Sequence, residues 1–382
     1  MKTLFIKIKK INLYEKIKIL FNIQNINFNI VQADEKIPPL ESNEVLIKTL
    51  FCGVCPTDIK KIIDPKVFDE LSKKLNRRYG DYYPGHEVVG RISEVGSGMN
   101  KNLIDKIVTV ADINICRAFK FLPECSNCKK GRGIICKSKS KIKKNKNKKI
   151  FGGFSDFFIR SEGQFLVLDE KINKFNATFI EPLSSAIHCE SKLSKKNDYI
   201  IINGLSTISI LFYRYLKYKN YNLNKIFFIV ENNLQKREAI KKKIKNVFLD
   251  LDDLKLKTDI FFDFVGKYRN ITKILQSLNP NSEVYLFGFG DKSIIIDTDL
   301  LINNEIKVSG IHGYSSRLID GKYISDLNIA SEMISKNYIY VEDLVSDIQP
   351  LSKSKQVLEK ICRSFISKKK IKEVHYRTIF KS

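Results

Sequence analysis

Beyond Asp198, apolar runs alternate with stretches of helical spacing, and this alternation limits the possible folds more than any other feature of the chain. The first two runs are Tyr199–Ile202 and Lys225–Val230, and Ile208–Leu216 between them has helical spacing. Strands that alternate with helices are typical of βαβ units and a parallel sheet. We therefore predict a doubly wound α/β domain, which continues with a helix over Leu234–Lys245, a strand over Asp259–Val265, a helix near Ile271–Leu278 and a strand over Glu283–Phe287.

The part of the chain before about Leu168 has a different pattern. Its short apolar runs are broken by Gly, Pro and Asp, as is typical of antiparallel strands. We predict a barrel-like β domain there, with strands over Glu44–Leu50, Glu87–Val95, Lys106–Val110 and Phe154–Ile159. A chain of 382 residues is long enough for two such cores. The run Lys137–Lys149 is rich in Lys, Ser and Asn and is expected to form an exposed, mobile loop.

The formal net charge of +25 would suit a nucleic-acid binder, but the distribution of the charge does not. Lysine is spread along the whole chain, and neither arginine clusters nor aromatic platforms are concentrated in one place. We therefore expect no specific nucleic-acid partner. Apolar runs long enough to span a membrane are absent from the sequence, and lysines interrupt the first twenty residues. These features predict a cytoplasmic protein without a membrane partner.

Two short motifs in the first half carry the residue types of a catalytic zinc site. Cys55 lies in Cys-Gly-Val-Cys-Pro-Thr-Asp, and His86 and Glu87 lie in Tyr-Pro-Gly-His-Glu. A thiolate, an imidazole and a carboxylate can hold zinc and leave one position open for a substrate oxygen. Asp58 is a second carboxylate that could orient the imidazole, and Thr57 would supply a hydroxyl for proton transfer. The alternative for the cysteine and the histidine is a buried thiol and a hydrogen-bonded core imidazole.

The order and spacing of four motifs resemble the zinc-dependent medium-chain alcohol and polyol dehydrogenases. The motifs are the cysteine segment 52–58, Gly85-His86-Glu87, Gly152-Gly153-Phe154-Ser155-Asp156-Phe157, and Glu181-Pro182-Leu183. The resemblance implies a GroES-like catalytic domain over 1–182, completed by 324–382, and a Rossmann dinucleotide-binding domain over 183–323. The stretch between Cys55 and His86 is longer than is usual in the family, so Asp64–Arg78 is expected to be an insertion.

The resemblance also implies the roles of the site residues. Cys55 and His86 would bind the catalytic zinc, and Glu87 and Glu181 would compete for the same coordination position. Glu181 is similar to the glutamate that polyol and threonine dehydrogenases keep near the metal, although an acid at the start of a helix is also favourable without a metal. Zinc would polarise a substrate alcohol, Thr57 would pass its proton outward, and Asp58 and Glu87 would orient the metal's ligands.

A second cysteine group resembles the structural zinc lobe of the same family, but it is altered. Cys125, Cys128 and Cys136 have the expected spacing, whereas Leu122 stands where the first cysteine belongs. Three thiolates would leave a structural zinc site incomplete. Either Cys116 or Glu124 could supply the fourth ligand, or the lobe has lost its metal and keeps reduced thiols.

The predicted cofactor loop departs from the Rossmann pattern G-x-G-x-x-G at two positions. Gly204 is kept, whereas Ser206 and Ser209 replace the second and third glycines. Glu231, at the end of the next strand, would bind the ribose hydroxyls and favours NAD over NADP. The other expected cofactor-binding residues are Arg237, Val265 and Gly266.

These features together predict an oxidoreductase that transfers a hydride between NAD(P) and a secondary alcohol, which is a polyol, a sugar alcohol or an amino alcohol. A dehydrogenase of simple alcohols or of threonine is the alternative within the family. A non-catalytic, zinc-binding descendant with a lapsed nucleotide site is the alternative outside it, and Ser206 and Ser209 keep that alternative open. By resemblance, we also expect a homo-oligomer, either a dimer or a tetramer.

Overall fold

The computed structural model describes residues 2–6, 28, 30–63, 83–141, 152–193, 198–266, 271–288, 294–367 and 376–382. The expected insertion Asp64–Arg78 and most of the expected loop Lys137–Lys149 lie outside these residues. The chain divides into two compact units. The first contains Met1–Glu181, Ser315–Ile371 and Arg377–Ser382, and the second contains Pro182–Tyr314 and Lys372–Tyr376. The boundaries expected from the sequence were 182/183 and 323/324.

The first unit is built on a mixed sheet, which has seven strands within the described part of the chain. The strand order is β16-β17-β3-β4-β5-β7, and β6 pairs with the first half of β3, over Glu44–Lys48. Two further antiparallel strand pairs, β1-β2 and β14-β15, belong to this unit. The strands are β1 (Lys2–Ile6), β2 (Ile30–Asp34), β3 (Glu44–Gly53), β4 (Glu87–Val95), β5 (Ile107–Val110), β6 (Phe157–Ser161), β7 (Phe165–Val167), β14 (Ser316–Ile319), β15 (Lys322–Ser325), β16 (Asp347–Pro350) and β17 (Thr378–Lys381).

Long antiparallel pairing of β3 with β4 forms the centre of this sheet. The register joins Val45 to Val95 at one end and Gly53 to Glu87 at the other. Inward-facing apolar side chains such as Ile47, Val88 and Phe158 form its core. Because the pairing ends at Gly53 and Glu87, the residue that follows β3 and the residue that precedes β4 lie side by side. This register brings the cysteine motif next to the histidine motif.

The second unit contains a parallel sheet, which has six strands among the described residues, in the order β10-β9-β8-β11-β12-β13. The order corresponds to 3-2-1-4-5-6, which is the Rossmann order. The predicted combination of a mainly antiparallel β domain and a doubly wound parallel-sheet domain is confirmed. The strands are β8 (Ile200–Asn203), β9 (Ile226–Ile229), β10 (Asn246–Phe248), β11 (Thr258–Asp263), β12 (Leu278–Leu286) and β13 (Lys307–Gly310).

The helices follow the predicted pattern, but two of them end earlier than expected. The helix expected over Leu234–Lys245 covers Asn233–Lys241. The expected helix near Ile271–Leu278 covers only Thr272–Gln276, because Leu278 already begins β12 and pairs with Thr258. Across the described ranges, none of the helices is long and apolar enough to cross a membrane. The α-helices are α1 (Pro56–Ile63), α2 (Ile115–Ala118), α3 (Ser126–Lys129), α4 (Ile180–Glu190), α5 (Thr207–Tyr218), α6 (Asn233–Lys241), α7 (Thr272–Gln276), α8 (Thr298–Asn304), α9 (Asp326–Ser335) and α10 (Ser354–Ser367).

Candidate functional site

Cys55 lies between the end of β3 and the first turn of α1. Pro56 occupies the first helical position, where its missing N–H costs no hydrogen bond and its fixed φ favours the helix. Asp58 folds back on the helix start, and its Oδ2 accepts a hydrogen bond from the Cys55 backbone N–H at 3.3 Å. Thr57 precedes Asp58 and is half-buried. The local sequence thus fixes the thiol at the start of a capped helix.

His86 directly precedes β4, and the turn before it depends on glycines. Gly85 has φ +95°, and a Cβ there would meet the Phe154 backbone nitrogen at 2.7 Å. Gly153 donates its backbone N–H to the Gly85 carbonyl at 2.8 Å. The Gly152-Gly153 motif therefore serves a close approach of two backbones, and that approach sets the position of the imidazole.

The structure brings three of the expected catalytic ligands together. One donor atom from each of Cys55, His86 and Glu87 lies within 4.8 Å of the other two. Asp58 is fully buried, and its Oδ1 lies 3.5 Å from His86 Nδ1 and accepts from the Gly85 N–H at 3.5 Å. Because Asp58 contacts Nδ1, Nε2 is the nitrogen left for a metal. A thiol, an imidazole and a carboxylate form a donor set that fits a catalytic zinc.

Burial and neighbouring charges shape the electrostatics of this group. Burial disfavours a charged imidazole, but the carboxylate of Asp58 and the sulfur of Cys55 raise the pKa of His86 well above its usual value. Glu181, in the first turn of α4, is not part of the three-residue group found among the described residues. Burial raises the pKa of the Glu181 carboxyl, His86 lowers it and Asp58 raises it further. Glu181 is thus close enough to interact with the group electrostatically.

Arg377 is a residue of this site that the sequence did not reveal. Its guanidinium forms an ion pair with Glu87, and both side chains are buried. The guanidinium carbon lies 4.6 Å from the centre of the Phe179 ring. Burial lowers the pKa of Arg377 to about 10, although Cys55, Cys52 and Asp58 oppose this shift. A Cβ on Gly53 would overlap the guanidinium, which explains the glycine at that position.

The second group contains four cysteines rather than three. Sulfur atoms of Cys116, Cys125, Cys128 and Cys136 all lie within 4.8 Å of one another. Leu122, at the position expected for a cysteine, is 82% exposed and cannot act as a ligand. Glu124, the other suggested ligand, instead accepts a hydrogen bond from the Asn114 side chain at 2.7 Å. Four converging thiols fit a closed structural zinc site.

The sulfur atoms of the cysteine group lie close together and accept hydrogen bonds, and the four cysteines form no disulfide. The Cys116 and Cys136 sulfurs are 3.6 Å apart, and those of Cys125 and Cys136 are 3.8 Å apart. Backbone N–H groups of Cys125 and Ser138 point at sulfurs in the group. Such N–H groups stabilise thiolates, which are the form of cysteine that binds metal.

The cofactor loop lies where β8 and β11 are neighbours, at the carboxyl ends of both strands. Gly204 has φ +97°, and a Cβ there would overlap the Val265 side chain. The Asn203 side chain donates to Asp263 Oδ1 at 2.9 Å, and Asp263 accepts the N–H groups of Val265 and Gly266. The buried Asn203–Asp263 pair was not anticipated. It fixes the two strand ends at the point where Rossmann folds bind dinucleotides.

Ser206 and Ser209 form the start of α5. Ser206 is the N-cap, and its Oγ accepts from the Ser209 N–H at 3.2 Å. In return, Ser209 Oγ accepts from the Ser206 N–H at 2.8 Å. Ser209 is fully buried, and its hydroxyl bonds within the first turn of the same helix. A dinucleotide fits this loop through Gly204 and the remaining helix N–H groups.

The remaining expected cofactor residues are more exposed. Glu231 follows β9, its side chain is exposed, and its backbone N–H donates to the Gln235 side chain at 3.0 Å. Arg237 is exposed on α6. Val265 and Gly266 follow β11 and are half-buried. All seven expected cofactor-binding residues lie in the second unit.

Comparison with known proteins agrees with this architecture. Residues 41–170 match the model of the alcohol dehydrogenase GroES-like domain. L-threonine 3-dehydrogenase of Xanthomonas euvesicatoria pv. vesicatoria is 23% identical over 286 residues, which cover 72% of this chain and 79% of that protein.

Two solved structures share the fold over the whole chain. A short chain alcohol dehydrogenase of Escherichia coli CFT073, complexed with NADH, has a TM-score of 0.73 at 15% identity and covers 100% of this chain and 99% of that one. Galactitol-1-phosphate dehydrogenase of Escherichia coli has a TM-score of 0.69 at 16% identity and covers 100% of both chains. At this level of identity, the two structures show the fold alone.

The GroES-like sheet with its thiol–imidazole–carboxylate group, followed by a Rossmann sheet, defines a two-domain dehydrogenase architecture. The matched GroES-like domain, the threonine dehydrogenase relatives and the structural neighbours all support the zinc-dependent medium-chain alcohol dehydrogenase family.

Proposed function

We propose that the protein is a zinc-dependent oxidoreductase that transfers a hydride between NAD and a secondary alcohol of the polyol, sugar-alcohol or amino-alcohol class. The convergence of Cys55, His86 and Glu87 beside Asp58 carries this proposal. A non-catalytic descendant would have no need to keep three donors and an orienting carboxylate together. The threonine and galactitol-1-phosphate dehydrogenases among the similar proteins support the substrate class.

Each residue of the site has a specific task in this proposal. Bound zinc would supply a Lewis acid for the substrate oxygen, and NAD would supply the hydride acceptor. Cys55 and His86 hold the metal, and Asp58 fixes the imidazole through Nδ1. Thr57 passes the substrate's hydroxyl proton toward solvent. Glu87, paired with Arg377, and Glu181 provide carboxylates for the remaining position.

Cofactor preference follows from the charge at the end of β9. The Glu231 carboxylate can accept hydrogen bonds from ribose hydroxyls and repels a 2′-phosphate. We therefore infer that NAD is preferred over NADP, with Gly204, Val265 and Gly266 around the dinucleotide and Arg237 beside its adenine. The second zinc would be structural and held by Cys116, Cys125, Cys128 and Cys136.

A homo-oligomer and a cytoplasmic location complete the proposal. β13 is an edge strand of the parallel sheet, and its residues Lys307, Ser309 and Gly310 are exposed. Such an edge can pair with a second copy of the chain. Light scattering of the purified protein tests this point, and a monomer at micromolar concentration would contradict it. The eight free cysteines suit a reducing compartment.

The decisive experiment measures NADH formation by the zinc-loaded protein with a panel of polyols, sugar alcohols and amino alcohols, threonine and a simple alcohol included. Metal content per chain is measured on the same sample. We expect activity with at least one member of the panel and thermal stabilisation by NADH. A folded, zinc-loaded protein that neither NADH nor NADPH stabilises would refute the enzyme proposal.

A further inference from the structure

Ser206 and Ser209 do more than replace two glycines, because their side chains form hydrogen bonds with each other's backbone N–H groups at the start of α5. Ser206 has extended backbone angles, φ −134° and ψ 166°, and its side chain turns toward the helix. Each serine accepts a backbone N–H from the other, and Ser209 Oγ also donates to the Ser206 carbonyl at 3.0 Å. This reciprocal arrangement is a capping box, which is complete in the absence of any ligand.

A dinucleotide needs the same part of the helix. Its pyrophosphate binds at the helix N-terminus, and the second glycine of the usual motif lets the backbone approach it closely. Here that position carries the Cβ and hydroxyl of Ser206, and the hydroxyl already holds the Ser209 N–H. The capping box leaves the N–H groups of Thr207 and Ile208, the first two helical residues, for a phosphate. The loop therefore accepts the cofactor, but in competition with its own cap.

We infer that Ser206 limits the affinity for the dinucleotide, because its side chain must turn away before the pyrophosphate can approach the start of α5. The inference rests on the proposed NAD-dependent function. It follows that the cofactor binds weakly and exchanges readily between turnovers. Ser209 is a positioning residue that holds Ser206 in the capping rotamer.

Titration calorimetry with NADH on the full-length, zinc-loaded protein tests this inference. Ser206→Gly removes the competing side chain, and we expect NADH binding to tighten by about three- to tenfold, the range that one net hydrogen bond supplies. Ser206→Ala removes the hydroxyl but keeps Cβ, so its affinity for NADH should lie between those of the wild type and Ser206→Gly. Glycine is nearly as good an N-cap as serine, so the melting temperature without cofactor should change little in Ser206→Gly.

Ser325→Gly is the matched control, because Ser325 caps α9 through the Leu327 N–H in the other unit. This variant should bind NADH as the wild type does. In steady-state kinetics, Ser206→Gly should lower the KM for NAD and leave the KM for the alcohol unchanged. If the wild type binds NADH and Ser206→Gly binds it equally or more weakly, the inference is wrong. If neither folded protein binds NADH, the proposed function fails as well.

Discussion

Arg377 and Glu87 form a buried ion pair although 290 positions separate them in the chain. The pair joins the residue that precedes β17 to the first residue of β4, which directly follows His86. Arg377 also donates to the Thr178 carbonyl at 3.4 Å. Its guanidinium thus connects one candidate metal ligand with the segment that leads to Glu181, and the shape of the site depends on it.

Replacement of Arg377 by glutamine should be strongly destabilising. The change leaves the Glu87 carboxylate buried without its cation, and loss of one partner of a buried pair costs about 3–5 kcal/mol. Urea unfolding measures the effect. The double variant Arg377→Gln, Glu87→Gln removes both charges and should recover part of the loss. A single variant within about 1 kcal/mol of the wild type would show that the pair does not stabilise this region.

Asp58 should control the affinity of the catalytic zinc. Asp58→Asn keeps the shape but weakens the contact with His86 Nδ1, and loss of such a partner lowers metal affinity by about 10- to 100-fold. Competition with a chromogenic chelator measures the affinity. Asp326→Asn is the control, because Asp326 is equally buried but bonds to Ser315 and Arg317, away from the metal group. Equal zinc affinity in both variants would contradict the role given to Asp58.

The sequence predicted the local features of this fold well. β4 runs over Glu87–Val95 as predicted, because alternating apolar residues and a flanking glycine define it locally. β12 begins at Leu278 rather than Glu283, since an apolar residue near a helix end does not reveal which element it joins. The pairing of Leu278 with Thr258 settles that choice, and such pairing depends on the whole sheet.

Contacts between site residues that are far apart in sequence were harder to predict. Cys55 and His86 were found because each lies in a motif with its own chemistry. Arg377 lies in no such motif, and only the folded sheet brings it to Glu87. Cys116 was one of several open choices, because spacing alone cannot show that its sulfur points toward Cys136. The Asn203–Asp263 pair was missed for the same reason.

Cys116 should be required for the second zinc. Cys116→Ser removes one of four converging thiols, and a site with three would be open. We expect the metal content to fall from about two zinc ions per chain to about one. Cys189→Ser is the matched control, because Cys189 is buried in α4 and outside both donor groups. Unchanged metal content in Cys116→Ser would show that another ligand or no structural metal is present.

Gly204 should tolerate no side chain. Gly204→Ala combines positive φ with overlap of the Val265 side chain, and we expect a loss of about 1–3 kcal/mol in unfolding free energy. Gly321→Ala is the control for backbone strain alone, since Gly321 has φ +74° and open space around its Cβ position. The double variant Gly204→Ala, Val265→Ala should recover the part due to overlap. Equal losses in the two single variants would rule out a contribution from Val265.

Cys362 should make the stability sensitive to alkaline pH. The thiol is fully buried in α10, and burial raises its pKa to about 12, with Glu359 adding to the shift and Arg363 opposing it. An unfolded chain loses this proton near pH 8.5. The contribution of the neutral thiol is therefore complete below about pH 8.5 and is lost as the pH rises toward 12.

The loss amounts to about 1.4 kcal/mol per pH unit, because only the unfolded state releases the proton in that range. Cys362→Ala lacks this group, whereas all other thiols titrate equally in both proteins. Urea unfolding at pH 7.5 and at pH 10 should therefore show the wild type losing more stability than Cys362→Ala. If the difference between the two proteins stays constant with pH, then the Cys362 thiol ionises in the folded protein as readily as in the unfolded chain.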